Sequence, residues 1–78
     1  MPSPIRKGSF VTKEQARQIN AALILAGTDR KAWASDEELS YQRVNRMVRG
    51  EEMVTASYAR RFNALVKRRL GSRLAQAA

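Results

Sequence analysis

Three arginines stand at every third position, Arg43, Arg46 and Arg49, in the stretch 39–50, LSYQRVNRMVRG. Tyr41, Gln42 and Asn45 lie among them, adding a hydroxyl and two amides. At about 100° per residue, Val44, Met47 and Val48 gather on one side of a helix and the polar groups spread over the rest. One face packs and the other presents hydrogen-bond donors. The chemistry these donors suit is recognition of an ordered polyanion. Arginine can bond bidentately to guanine O6 and N7, and glutamine or asparagine to adenine N6 and N7, in the major groove of a DNA duplex that admits a helix.

Covalent chemistry has little to work with. The 78 residues contain no histidine and no cysteine, which removes the commonest general base, the commonest metal ligand, disulfides and thiolate metal sites. The acidic run Asp36, Glu37, Glu38 has no histidine and no further acids beside it to complete a site. No phosphate-cradling glycine loop, zinc-protease helix motif or nucleophile–base pair occurs. The expectation is a non-enzymatic protein with no cofactor and no metal.

Charge narrows the choice of partner. Fifteen Lys and Arg against seven Asp and Glu give a net +8. Residues 1–40 carry six cations and five anions, whereas residues 41–78 carry nine cations against only Glu51 and Glu52. A one-sided excess of this kind favours a polyanionic partner, nucleic acid or an anionic surface. No run approaches the length of a transmembrane span and the first residues lack the apolar stretch of a signal peptide, so a cytoplasmic protein is expected.

The elements that must position these donors are marked by caps and glycines. Residues 1–11 hold two prolines and a Gly-Ser pair without periodicity, predicting a flexible N-terminal arm. Thr12 with Gln15 forms a capping box before a stripe of Ala16, Ile19, Leu23 and Ala26, and Gly27 is placed to end that helix. Thr28 or Asp29 opens a short helix carrying Trp33 and Ala34, and Ser40 caps the helix 41–49 that Gly50 closes. Thr55 caps a fourth, striped by Ala59, Phe62, Leu65, Val66 and Leu70 and stopped near Gly71. Arg60, Arg61, Lys67, Arg68 and Arg69 avoid that stripe and form a second basic block, while residues 72–78 read as a tail. The fold class expected is all-α, a compact bundle of four to five helices, with the DNA-binding domain over 12–71.

The residues 33–50, WASDEELSYQRVNRMVRG, resemble the helix-turn-helix of the lambda-repressor and Cro-like family of phage and bacterial regulators. Ala34 matches the small residue where that family's two helices cross, Leu39 its apolar turn residue, Val44 its inward β-branched residue and Met47 its second core residue. Arg49-Gly50 matches the helix end. The departure is Glu38, where the family usually has glycine in the turn. The resemblance extends over about residues 12–70, with its distinctive part confined to 33–50.

Together the residues and the resemblance imply a sequence-specific double-stranded DNA-binding regulator, a repressor before an activator, with helix 41–49 in the major groove. Tyr41, Gln42, Arg43 and Arg46 are expected at base edges. Ser40, Asn45 and Arg49, with Arg6 and Lys7 on the arm, are expected at the DNA backbone. One such helix reads only about four or five base pairs, so a homodimer on a near-palindromic operator is implied, with residues 70–78 as the dimer surface. Two alternatives stay open: an antitoxin-type autorepressor with a toxin partner, and a basic protein-interaction module. A helix lying on a membrane surface fits least, because the apolar stripes are narrow and capped as for a packed bundle.

Overall fold

The computed structural model describes residues 4–71, which form four α-helices and a π-helical turn, with no strand among them. The helices are α1 (Lys13–Leu25), α2 (Arg30–Asp36), α3 (Tyr41–Val48) and α4 (Ala56–Val66), and α4 runs directly into the π turn at Lys67–Gly71. The all-α class expected from the sequence is the class adopted, in a body with a radius of gyration of 11.7 Å. Residues 72–78, the expected tail and most of the expected dimer surface, lie outside the described residues.

Helix starts follow local chemistry. The Thr12 hydroxyl accepts from the Gln15 N–H at 3.1 Å and the Gln15 side chain accepts from the Thr12 N–H at 3.0 Å, a complete capping box. Of the two candidates for α2, Asp29 is the cap, accepting from the Ala32 N–H at 2.8 Å. Ser40 caps α3 through the Arg43 N–H. Thr55 occupies the N-cap position of α4 with no side-chain cap bond.

Three helices end alike, with the chain reversing through one left-handed residue. At α1 the N–H of Thr28 bonds the Leu23 carbonyl and that of Gly27 bonds Ile24. At α3 the N–H of Glu51 bonds Arg46 and that of Gly50 bonds Met47. At α2 the same pair of bonds runs from Leu39 to Ala34 (2.7 Å) and from Glu38 to Ser35 (3.1 Å). This is the Schellman arrangement, which satisfies carbonyls the helix leaves open. Gly27 and Gly50 take the left-handed position at two of these ends, and Glu38 takes it at the third, with φ +58°. The departure at Glu38 therefore leaves the turn in the shape a glycine would give, at a steric cost of about 1–2 kcal/mol for an L side chain.

Ile19, Val44, Met47, Val54 and Phe62 lie wholly inside. Trp33 stacks on Phe62 with ring centroids 5.3 Å apart, and Tyr58 meets Phe62 at 6.5 Å, so α2 and α4 share an aromatic seam. Ala34 is fully buried on α2, the helix packed against α3.

The expectation of a flexible arm over 1–11 is corrected for the described part. Ile5 is 4% exposed and Val11 is also buried. The Asn63 side chain holds Ile5 at both backbone groups, accepting from its N–H at 2.8 Å and donating to its carbonyl at 2.7 Å. Val54 fastens the segment again, accepting from the Gly8 N–H at 2.7 Å and donating to the Ser9 carbonyl at 2.9 Å. These contacts join residues far apart in sequence, and a non-periodic stretch gives no local sign of them.

Candidate nucleic-acid interface

α3 is built from opposed requirements. Val44 and Met47 are 0% exposed and Val48 is nearly so, docked on the bundle. Tyr41, Gln42, Arg46 and Arg49 stand on the outside, with Arg43 and Asn45 half-buried beside them. Ser40, just before the helix, is exposed. Its hydroxyl accepts the Arg43 N–H at 3.4 Å, and its own N–H donates to the Tyr58 hydroxyl at 3.2 Å. The start of α3 is thereby fastened to α4.

The two central arginines are held by one carboxylate. Glu52, in the link between α3 and α4, accepts from Arg43 Nε through Oε2 at 2.8 Å and from Arg46 Nε through Oε1 at 2.9 Å. Arg43 also lies over the Tyr58 ring, 5.0 Å from its centroid. The Arg43 hydrogen bond is the largest influence holding the Glu52 carboxyl below the ordinary carboxylate range, with the Arg46 bond reinforcing it against partial desolvation. The same bond raises the Arg43 guanidinium above its already high ordinary value. Arg43 stays charged.

Asn45 has an internal partner. Its Oδ1 accepts from Arg30 Nη1 at 2.7 Å, and Arg30 also donates through Nε and Nη2 to Asn20 Oδ1 at 3.3 and 3.1 Å. Arg30 thus ties α1, the start of α2 and α3 together. Arg49 pairs with Glu51 at 3.4 Å with both side chains about half exposed, a contact worth little in water. Arg6 and Lys7 are exposed on a turn that closes through two bonds from Ser9 to the Arg6 carbonyl. That turn is the one fastened to Val54, so it sits beside the α3–α4 link rather than on a free arm.

Four further arginines lie elsewhere. Arg60, Arg61, Arg68 and Arg69 line a groove of about 510 Å³ with Trp33, Asp36 and Glu37, and no residue of α3 contributes to it. Arg61 donates to the Glu37 carbonyl at 3.2 Å. The basic half of the sequence therefore serves two surfaces, and the α3 surface is the one that combines cations with amides.

Sequence reasoning placed the α3 side chains on the outside but missed Glu52, Tyr58 and Arg30, the three residues that hold them. Glu52 reads as part of a polar link, and its partners lie nine and six positions back. A tyrosine one turn before Phe62 and two before Leu65, on their face of the helix, offered a signal for Tyr58, since its hydroxyl needs a partner when the ring is buried. No family model, curated protein or solved structure matches the chain. No helix among the described residues is long and apolar enough to cross a membrane.

Proposed function

We propose that this chain is a sequence-specific double-stranded DNA-binding transcriptional regulator, a repressor, in which α2, the connection 37–40 and α3 act as a helix-turn-helix of the lambda-repressor and Cro-like kind. The observation that carries the reading is the division of α3: its apolar residues are fully withdrawn into the bundle while Tyr41, Gln42, Arg43 and Arg46 crowd the outside of its first two turns. Eight residues make about 12 Å of helix, a length that fits a major groove about 12 Å wide. The residues nearest the N-terminal end of such a helix reach deepest.

In this reading Gln42 and Arg46 bond base edges, with Tyr41 and Arg43 beside them. Ser40 and Arg49 lie at the two ends of α3, where phosphates of the flanking strands pass. Arg6 and Lys7 extend the phosphate-facing surface from their turn. Asn45 meets the backbone through its amide nitrogen, its oxygen being taken by Arg30. The protein acts as a homodimer on half-sites about 34 Å apart, because one helix reads too few base pairs to define a genomic site.

The test is selection of a preferred duplex from a randomised pool, followed by fluorescence anisotropy. Gln42→Ala and Arg46→Ala should each weaken the selected duplex by about 1–3 kcal/mol while leaving a scrambled duplex nearly as before. Arg49→Ala should weaken both alike and lower the salt dependence by about one counterion. Equal binding of every duplex, unchanged in the first two variants, would overturn base reading by α3.

A further inference from the structure

Glu52 is an acid placed against the very surface that is to meet an acid. A carboxylate there repels phosphate, and it occupies the two arginines nearest the middle of α3. Its side chain is 24% exposed, more enclosed than either partner (41% for Arg43 and 49% for Arg46), so it lies behind the guanidinium groups. The manner of contact is the informative part. Each arginine gives Glu52 its Nε–H. Neither arginine gives Glu52 a hydrogen bond from an Nη atom. The Nη pair is the end of the side chain suited to two parallel bonds, and both arginines keep that end off the carboxylate.

The rest of the surroundings act in the same sense. Tyr58 lies under Arg43 and is itself fixed to Ser40. Glu52 follows Glu51, whose N–H closes the end of α3, and precedes the segment that Val54 fastens to Gly8 and Ser9. The carboxylate is therefore mounted on backbone tied at both sides. An exposed arginine otherwise has several rotatable bonds and can reach whichever phosphate is nearest. Two arginines tethered by Nε to a mounted carboxylate can reach only what comes within the arc left to their Nη atoms.

We propose that Glu52 is a specificity-determining positioning residue of the α3 surface: it aims Arg43 and Arg46 at base edges and withholds them from phosphate. This rests on the reading of α3 as a DNA-recognition helix and names how that helix is prevented from becoming a general backbone binder. Glu52 touches no base itself. Its effect is on the ratio of affinities for the preferred and the scrambled duplex, which falls when the tether is lost, because untethered arginines bind any phosphate while losing their aim at the base.

The experiment uses the full chain and the duplex the wild type selects from a random pool. Anisotropy at two salt concentrations gives affinities for that duplex and for a scrambled one, for wild type, Glu52→Gln, Glu52→Asp and, as a control for charge alone, Glu51→Gln. Thermal melting confirms that each variant is folded. Glu52→Gln should bind the scrambled duplex more tightly and lower the preference by about tenfold, the discrimination of one good base contact. Glu52→Asp keeps the charge on a shorter stem that cannot span both Nε atoms, and should lose part of the preference. Glu51→Gln should tighten both duplexes by a similar factor, leaving the ratio as it was. A preference that survives in Glu52→Gln would overturn the inference and leave α3 reading untouched. A preference that rises would also overturn it, marking Glu52 as an internal competitor for the specific site. A wild type that selects no sequence at all would remove the DNA-recognition reading and this inference with it.

Discussion

Replacing Glu38 with glycine should make the protein more stable, although it removes a side chain and touches no core residue. Glu38 holds φ +58° and supplies the N–H that closes α2 onto Ser35. An L side chain in that region costs about 1–2 kcal/mol, and glycine avoids it. Against this, glycine gives the unfolded chain extra freedom worth about 0.4–1 kcal/mol. The carboxylate also sits at the C-terminal end of α2, where a negative charge opposes the helix dipole by about 0.3–1 kcal/mol, and no ion pair within 4.0 Å offsets it among the described residues. Glu38→Ala relieves only this charge, since alanine keeps the Cβ that makes the conformation costly. Glu38→Gly relieves both, and the net advantage of glycine over alanine should be roughly 0.5–1 kcal/mol. For a domain of this size that is a rise in Tm of about 2–8 °C above the alanine variant. Circular dichroism melting of the three proteins, with urea titrations to show an unchanged slope, measures it directly. If alanine equalled or exceeded glycine, the backbone at residue 38 would not be left-handed in solution, and the turn leading into α3 would have a different shape.

Other perturbations have equally definite outcomes. Ile5→Ala should destabilise by about 2–5 kcal/mol, the cost of emptying a buried isoleucine site, where a flexible arm would register almost nothing; chemical denaturation separates the two. Gly50→Ala should cost about 1–2 kcal/mol or more in the same assay, because φ is +75° and the new Cβ would lie 3.2 Å from the Val11 carbonyl oxygen. Glu52 titrates below its unfolded value, so its contribution to stability is complete above pH ~4.3 and fades as pH falls through the lower folded value. Melting followed from pH 6 down to pH 2 should therefore show a smaller loss for Glu52→Gln than for wild type, and parallel curves would mean the two arginine contacts contribute nothing in solution.

Much of the helical framework was legible because its signals are local. Thr12, Asp29 and Ser40 each bond the backbone N–H three residues on, and Gly27 and Gly50 reverse the chain one residue past the C-caps of the helices they end. The apolar stripes of α1, α3 and α4 follow from periodicity alone. What stayed hidden depends on groups distant in sequence. Ile5, Val11 and Val54 are buried from segments with no period, and they join the same core cluster as the helices' apolar residues. The same holds at α3: outward placement of Gln42 and Arg46 follows from phase, while the Glu52 tether and the Arg30–Asn45 bond follow from how a link and a helix start fold back on it. The widening of α4 into a π turn at Lys67–Gly71 has no counterpart in the residue pattern.

The clasp between Asn63 and Ile5 also constrains when this chain can fold. It joins residues 58 positions apart, so closing it costs roughly 3–4 kcal/mol of chain entropy that must be met by contacts formed at the same moment. During synthesis, at about 5–20 residues per second, Ile5 waits several seconds for Asn63 to be made, and longer for it to clear the ribosome. Until then Ile5 has no seat and the core lacks one wall. Folding of this domain therefore waits until α4 has been made, and before that the growing chain carries Ile5 without the helix that holds it.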